Sequence, residues 1–143
     1  MTLSVGVASS QDEIDEAMAL RTIVFVEEQG VPLAEEIDGL DGEATHLVAL
    51  EDGEVVGTCR LLLDGTTVKL GRMAVAKEHR GDGIAAEMLS VADREAKLLG
   101  GEQIKLAAQT YARALYDQAG YVADGAPFPE AGIEHIWMSK QLQ

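Results

Sequence analysis

Cysteine is almost missing from this chain: Cys59 is the only one in 143 residues. A lone thiol closes no internal disulfide and cannot build a multi-cysteine zinc site. It fits a reducing, cytoplasmic setting. Basic residues are scarce too, with 11 Lys and Arg against 25 Asp and Glu and a formal net charge of -14. A general nucleic-acid binder needs a basic face, so no nucleic-acid partner is expected. At long range such a surface favours a cationic acceptor over an acidic one, though acidity also serves solubility alone. No apolar run approaches the length of a membrane span, and no membrane partner is expected. The opening MTLSVGVASSQDE lacks the basic flank and apolar stretch of a signal peptide. No linker, repeat or low-complexity segment divides the chain, and its length suits one domain over residues 1–143. The spacing of His46 and His135 gives no ligand pattern, so no metal is expected.

What is present reads as a mixed α/β chain. SVGVA (Ser4 to Ala8) makes a short strand. Ser10 and Glu13 form a capping box, and Ile14, Ala17, Met18 and Val24 follow a helical period from about Gln11 to Gln29. GVPLAEEIDGLDGEA has loop composition. THLVALE and VVGTCRLLL flank the turn DGE, and TVKLGRMAVA follows DGT, so three strands succeed one another through hairpins. Ile84, Met88, Leu89, Ala92, Ala96 and Leu99 share one helical face, and Gly100-Gly101 ends that helix. QIKLAAQ is a buried strand, YARALYDQAG a short helix with Thr110 as N-cap, and IEHIWMSKQL a closing strand. Three antiparallel strands are followed by one strand-helix-strand crossover, from about Thr67 to Gln109, that must be parallel. An open edge on the last strand would permit a homodimer.

HRGDGIAAEML, from His79 to Leu89, places two glycines and two alanines where a strand hands over to a helix. A helix start offers unpaired N–H groups and a partial positive charge. Glycines let an anion approach them, and Arg80 adds a fixed charge, so RGDGIA reads as a phosphate cradle. A tight turn would also use Gly81 and Gly83, but it gives no reason for Ala85 and Ala86. The Walker pattern is absent. Gly81-x-Gly83-x-x-Ala86 fits the loose dinucleotide fingerprint, but the following strand ends LAAQT with no carboxylate, and antiparallel hairpins precede it.

Arg80-x-x-Gly83-x-Ala85, after a strand and opening a helix, resembles the Arg/Gln-x-x-Gly-x-Gly/Ala motif of the GNAT superfamily of acetyl-CoA-dependent N-acetyltransferases. The resemblance runs over nearly the whole chain. LYDQAGY is similar to the second motif of the family. VFVEEQGVP, EIDGLDGEATH, LGRMAV and EAGIEHIWMSK resemble its ElaA/YjcF-like branch. Many relatives have Gly where this chain has Ala85, which the pattern allows. The resemblance implies a mixed, mostly antiparallel sheet with a splayed central strand pair, flanked by helices. It implies acetyl-CoA as co-substrate and no metal. The pantetheine arm would lie between the fourth and fifth strands, held by backbone groups of Met73, Ala74 and Val75. The pyrophosphate would sit on the N–H groups of Arg80, Gly81, Asp82, Gly83, Ile84 and Ala85. Gln109, at the end of the fifth strand, would bond the arm or the acceptor, or simply end the strand.

The implied reaction is direct attack of a primary amine, on a small molecule or a peptide, on a thioester. Amines of the lysine kind have a pKa near ~10.4, so a base or a lowered pKa is required. The departing thiolate benefits from a proton donor. Tyrosine, with a pKa near ~10, is still protonated at neutral pH. By resemblance Tyr116 holds the family's tyrosine position beside the sulfur and is the expected general acid. A half-buried helical tyrosine also serves packing. Glu36 and Asp38, in the E-I-D element of the acidic loop, rank first among candidate bases, ahead of Glu27, Glu28, Glu35 and Asp41. Arg21 and Arg72 each interrupt an apolar run, and a charge there needs a partner. Pairing with Glu36, Asp38 or Asp41 would fix the acceptor loop. An acyl-homoserine-lactone synthase shares this core and resembles the chain at RTIVF, EIDGLD and RLLL. A non-catalytic acyl-CoA-binding module is the remaining alternative.

Overall fold

The computed structural model describes residues 2–143. One seven-stranded sheet carries the fold: β1 (Leu3–Val7), β2 (Thr45–Glu51), β3 (Glu54–Asp64), β4 (Thr67–Val75), β5 (Gln103–Gln109), β6 (Val122–Glu130) and β7 (Ile133–Gln141). Their spatial order is β1-β2-β3-β4-β5-β7-β6. All neighbours are antiparallel except β4 and β5. The hairpin signals act as read: Asp52 and Gly53, both at positive φ, turn β2 into β3. The helices are α1 (Gln11–Arg21), α2 (Leu33–Glu36), α3 (Ile84–Leu98) and α4 (Arg113–Gln118).

α3 forms where the 3.6-residue period places it. Ile84, Met88, Leu89, Ala92 and Ala96 are buried on its inner face, joined by Val91. They pack on Leu47, Leu61, Val68, Ile104 and Leu106 of the sheet in the main core. Gly57 of β3 lets α3 approach the sheet closely. A Cβ there would stand 3.0 Å from Met88 Sδ and 3.1 Å from Ile84 Cγ2.

Three local expectations need correction. The first helix is regular only to Arg21 and continues as wide, π-type turns over Thr22–Glu28. Thr110 does not cap α4: it opens a short turn, and its hydroxyl donates to Glu134 at 2.9 Å. The last strand is not an edge. β7 pairs with β5 on one side and with β6 on the other. The homodimer expected from an open last strand therefore loses that edge. Gly125, Pro127 and Pro129 hide the β6 pattern in the sequence, because these residues mark breaks rather than strands. The irregular register between Asp124 and Phe128 is where β6 absorbs them.

Candidate active site

β4 and β5 are joined at three rungs only, Thr67 with Gln103, Val68 with Ile104 and Lys69 with Lys105. Beyond Lys69 the two strands part. A cavity of about 1020 Å³ follows the gap. Met73, Ala74 and Val75 line it from β4, and Gln109 from β5. Ala74 is buried and small, which leaves the gap open.

At one end the cavity meets the start of α3. Gly81 and Gly83 have φ of +88° and +81°, a left-handed backbone that glycine adopts without steric cost. A Cβ at either would meet nothing within 4 Å, so a ligand can approach this backbone directly. Gly83 is the N-cap, and no side chain caps the helix. The first N–H groups of α3 are thus free to bind an anion. Arg80, Gly81, Gly83, Ile84 and Ala85 all line the cavity, as does Ala86; Asp82 sits in the same turn, exposed and outside the lining. This bare backbone cradle fits a pyrophosphate.

Arg80 is held from two sides. Its Nε donates to the Val75 carbonyl at 3.0 Å, and Nη2 reaches Glu28 Oε1 at 2.7 Å. Glu28 closes the wide turns after α1. The next residue, Gln29, accepts a hydrogen bond from Gln109 Nε2 at 2.9 Å. The irregular helix end therefore spans both walls of the gap. Wide helical turns often occur at functional sites.

Tyr116 lines the cavity from α4 and is buried. Its ring meets Tyr121 edge-on, with centroids 6.0 Å apart. Burial, with a smaller contribution from Cys59, pushes its hydroxyl above the usual tyrosine value. The hydroxyl is therefore protonated at neutral pH.

Glu36 and Asp38 also line the cavity, but arginines surround them. Arg21, 1% exposed, donates from Nε to Glu36 Oε1 at 2.7 Å and from Nη1 to Asp41 at 2.7 Å. Arg72 Nη2 donates to the Glu36 carbonyl at 3.0 Å and lies 3.3 Å from Asp38 Oδ2. Arg60 pairs with both Asp38 and Asp41. Its hydrogen bond to Asp38 is the main reason that carboxyl lies far below the ordinary carboxylate range. Burial alone would raise the Asp41 carboxyl; hydrogen bonds from Arg21 and Arg60 outweigh it and lower it. The pairing expected for Arg21 and Arg72 is present. Arg60 was not singled out from the sequence, yet its signal was the same: a permanent charge inside the apolar strand segment VVGTCRLLL.

Arg72 reaches this cluster through a bulge. Thr58 pairs with Ala74 and Arg60 with Gly71, so Arg72 and Met73 together face Cys59. Arg72 takes a φ of +56°, which costs a non-glycine residue about 1–3 kcal/mol. Bulges re-aim side chains beside functional sites. Two of the three histidines, His46 and His135, bond backbone carbonyls: His46 Nε2 donates to Asp41 at 2.9 Å, and His135 Nδ1 to Ile133 at 2.7 Å. His135 also lines the cavity.

Residues 10–142 match the acetyltransferase (GNAT) domain family. The uncharacterised N-acetyltransferase YjcF of Bacillus subtilis is 35% identical over 135 residues, covering 94% of this chain and 96% of that protein. An acyl-CoA N-acyltransferase of Pseudomonas aeruginosa superposes with a TM-score of 0.86 at 32% identity, over 97% of this chain and 99% of that one. ElaA of Escherichia coli superposes with a TM-score of 0.86 at 25% identity, over 99% and 100% of the two chains.

Proposed function

The chain belongs to the GNAT acetyltransferase family, and from that premise we propose that it transfers an acetyl group from acetyl-CoA to a primary amine, as one domain spanning residues 1–143. The observation that carries this reading is the opening of the β4–β5 gap onto the bare N-terminus of α3. Acetyl-CoA supplies the thioester. Backbone groups of Met73, Ala74 and Val75 on the side facing the gap hold the pantetheine arm as an added strand. The N–H groups from Arg80 to Ala85 take the pyrophosphate, and Gln109 fixes the wall opposite β4.

The amine attacks the thioester carbonyl carbon, and the C–S bond breaks as the intermediate collapses. Tyr116 gives its proton to the departing sulfur, the nitrogen sheds one proton to solvent as the amide forms, and a solvent proton restores the tyrosine. Its raised pKa keeps that proton available across the neutral range. For Glu36 and Asp38 we replace the expected base role with a positioning one. Asp38 is stabilised as a carboxylate by Arg60, which makes it a weak proton acceptor. Glu36 has one oxygen committed to Arg21. Together they lock the acceptor loop against β3 and β4, and the amine enters in its free form. A cytoplasmic location is proposed from the lone cysteine.

The test is acetyl-CoA-dependent thiol release with a panel of amines, with Tyr116→Phe alongside and acetyl-CoA binding followed by thermal shift. Acceleration by one amine class, lost in the variant, supports the proposal. Binding without transfer to any amine would overturn it in favour of a non-catalytic module. Turnover only with an acyl-carrier protein and S-adenosylmethionine would favour the lactone-synthase reading.

A further inference from the structure

Lys69 and Lys105 are register partners at the last rung before β4 and β5 part. Both lean over Trp137 of β7, with Nζ atoms 5.6 and 4.6 Å from its ring centre. Like charges directly opposite one another on a sheet are destabilising. Neither ammonium has a carboxylate within 4.0 Å among the described residues. In a chain with 11 basic residues against 25 acidic ones, placing two cations side by side with no carboxylate beside them among the described residues is a conspicuous use of them.

Lys69 and Trp137 line the same cavity as the Arg80–Ala85 cradle, with Lys105 beside them. Arg60 and Arg72 line it too; among the described residues the buried Arg60 Nε has no hydrogen-bond partner, and Arg72 Nε has only an ion contact to Glu36 at 3.5 Å. Four carboxylates elsewhere on the wall leave the lysines free: Glu36 and Asp38 are held by Arg21 and Arg60, Glu35 sits on α2, and Glu130 lies 3.7 Å from His135. Local rules are broken most often at functional sites, where a ligand restores the balance.

We propose that the acceptor amine also carries a carboxylate, and that Lys69 and Lys105 bind this carboxylate while the carbon skeleton lies against Trp137. The proposal rests on the acetyltransferase reading and names its substrate class as small amino carboxylates. It reverses the expectation drawn from net charge. Bulk acidity acts over distances that salt screens beyond about 8 Å, whereas the lysine pair acts at contact.

Trp137 is the only tryptophan of the chain, so indole fluorescence, excited at wavelengths tyrosine does not absorb, reports on this site. The purified protein, with CoA present, would be titrated with leucine, phenylalanine and glutamate, with their C-terminal amides, and with spermidine. A saturable response to free acids is expected, at least tenfold weaker for amides and absent for spermidine. K69Q/K105Q should weaken free-acid binding at least tenfold, and K69R/K105R should restore it. Equal binding of acids and amides, no saturable response to any free acid, or an unaltered Gln variant would each overturn the proposal. Thiol release run in parallel separates the two readings. Equal transfer to amides and acids sinks the carboxylate site and leaves the transferase standing. Acid binding with no transfer from acetyl-CoA does the reverse.

Discussion

Arg21 and Glu36 form a buried ion pair, with Nε and Oε1 2.7 Å apart and side chains 1% and 6% exposed. The pair joins the last turn of α1 to α2 and so sets where the acidic loop lies. Removing one partner from such a pair leaves an uncompensated charge and typically costs about 3–5 kcal/mol. Arg21→Met and Glu36→Gln should each show losses of this order in denaturant unfolding. The double replacement R21M/E36L should recover part of the loss. Single losses below about 1 kcal/mol, the value of an exposed pair, would show that the loop is held by something else.

Acid should loosen the same region. The Asp38 and Asp41 carboxyls are both depressed in the folded chain, chiefly by hydrogen bonds from Arg60 and Arg21. A depressed carboxyl contributes stability that is complete above its unfolded value, near ~3.9, and is lost as pH falls toward the folded value. Thermal stability should therefore decline from about pH 5 downward. Asp38→Asn should be less stable than the parent at pH 7 and should flatten that decline. A parallel decline in parent and variant would count against the Arg60–Asp38 pair.

Tyr116→Phe should lower kcat by about 10²-fold or more, the usual scale for losing a general acid, with little change in acetyl-CoA affinity. The raised pKa adds a second expectation. Since the hydroxyl titrates above the usual tyrosine value, any alkaline limb of the parent pH–rate profile below pH ~10 belongs to another group. Unchanged kcat in the variant would return Tyr116 to a packing role beside Tyr121.

Gly83→Ala should weaken acetyl-CoA binding and destabilise the chain by about 1–2 kcal/mol, since an L side chain in left-handed backbone carries that cost. The empty space at the Cβ position means that the stability cost is conformational rather than a clash. Isothermal titration against thermal unfolding separates the two effects. An Ala variant with full affinity would remove Gly83 from the cradle.

Cys59 should be inert. It is fully enclosed, and burial pushes its thiol up to about 12. Thiol reagents should label it only as fast as the protein unfolds. Rapid labelling of the native chain would contradict the packing of β3 against α3.

Much of this was legible in the chain itself. The 3.6-residue period fixed the buried face of α3, and the DG turns fixed the hairpins, because these signals are local. The glycines of RGDGIA marked the left-handed turn before α3 for the same reason: positive φ is a demand on one residue at a time. Arg21 and Arg72 announced that they needed partners because a charge in an apolar run always does. Other features are not local, and the sequence carried no sign of them. β6 is a strand only because β7 lies beside it, against the preferences of Gly125, Pro127 and Pro129. The bulge at Arg72 depends on the register between β3 and β4. The partners of Glu36 and Asp38 turned on which cations folding brought to them, and these are Arg21, Arg60 and Arg72. Lys69 and Lys105 lie 36 positions apart, and only the parallel pairing of β4 with β5 places one beside the other. The sequence set which segments can fold and where bare backbone or buried charge must occur. The tertiary structure decided which charges meet, because Coulomb interactions depend on distance in space and not along the chain.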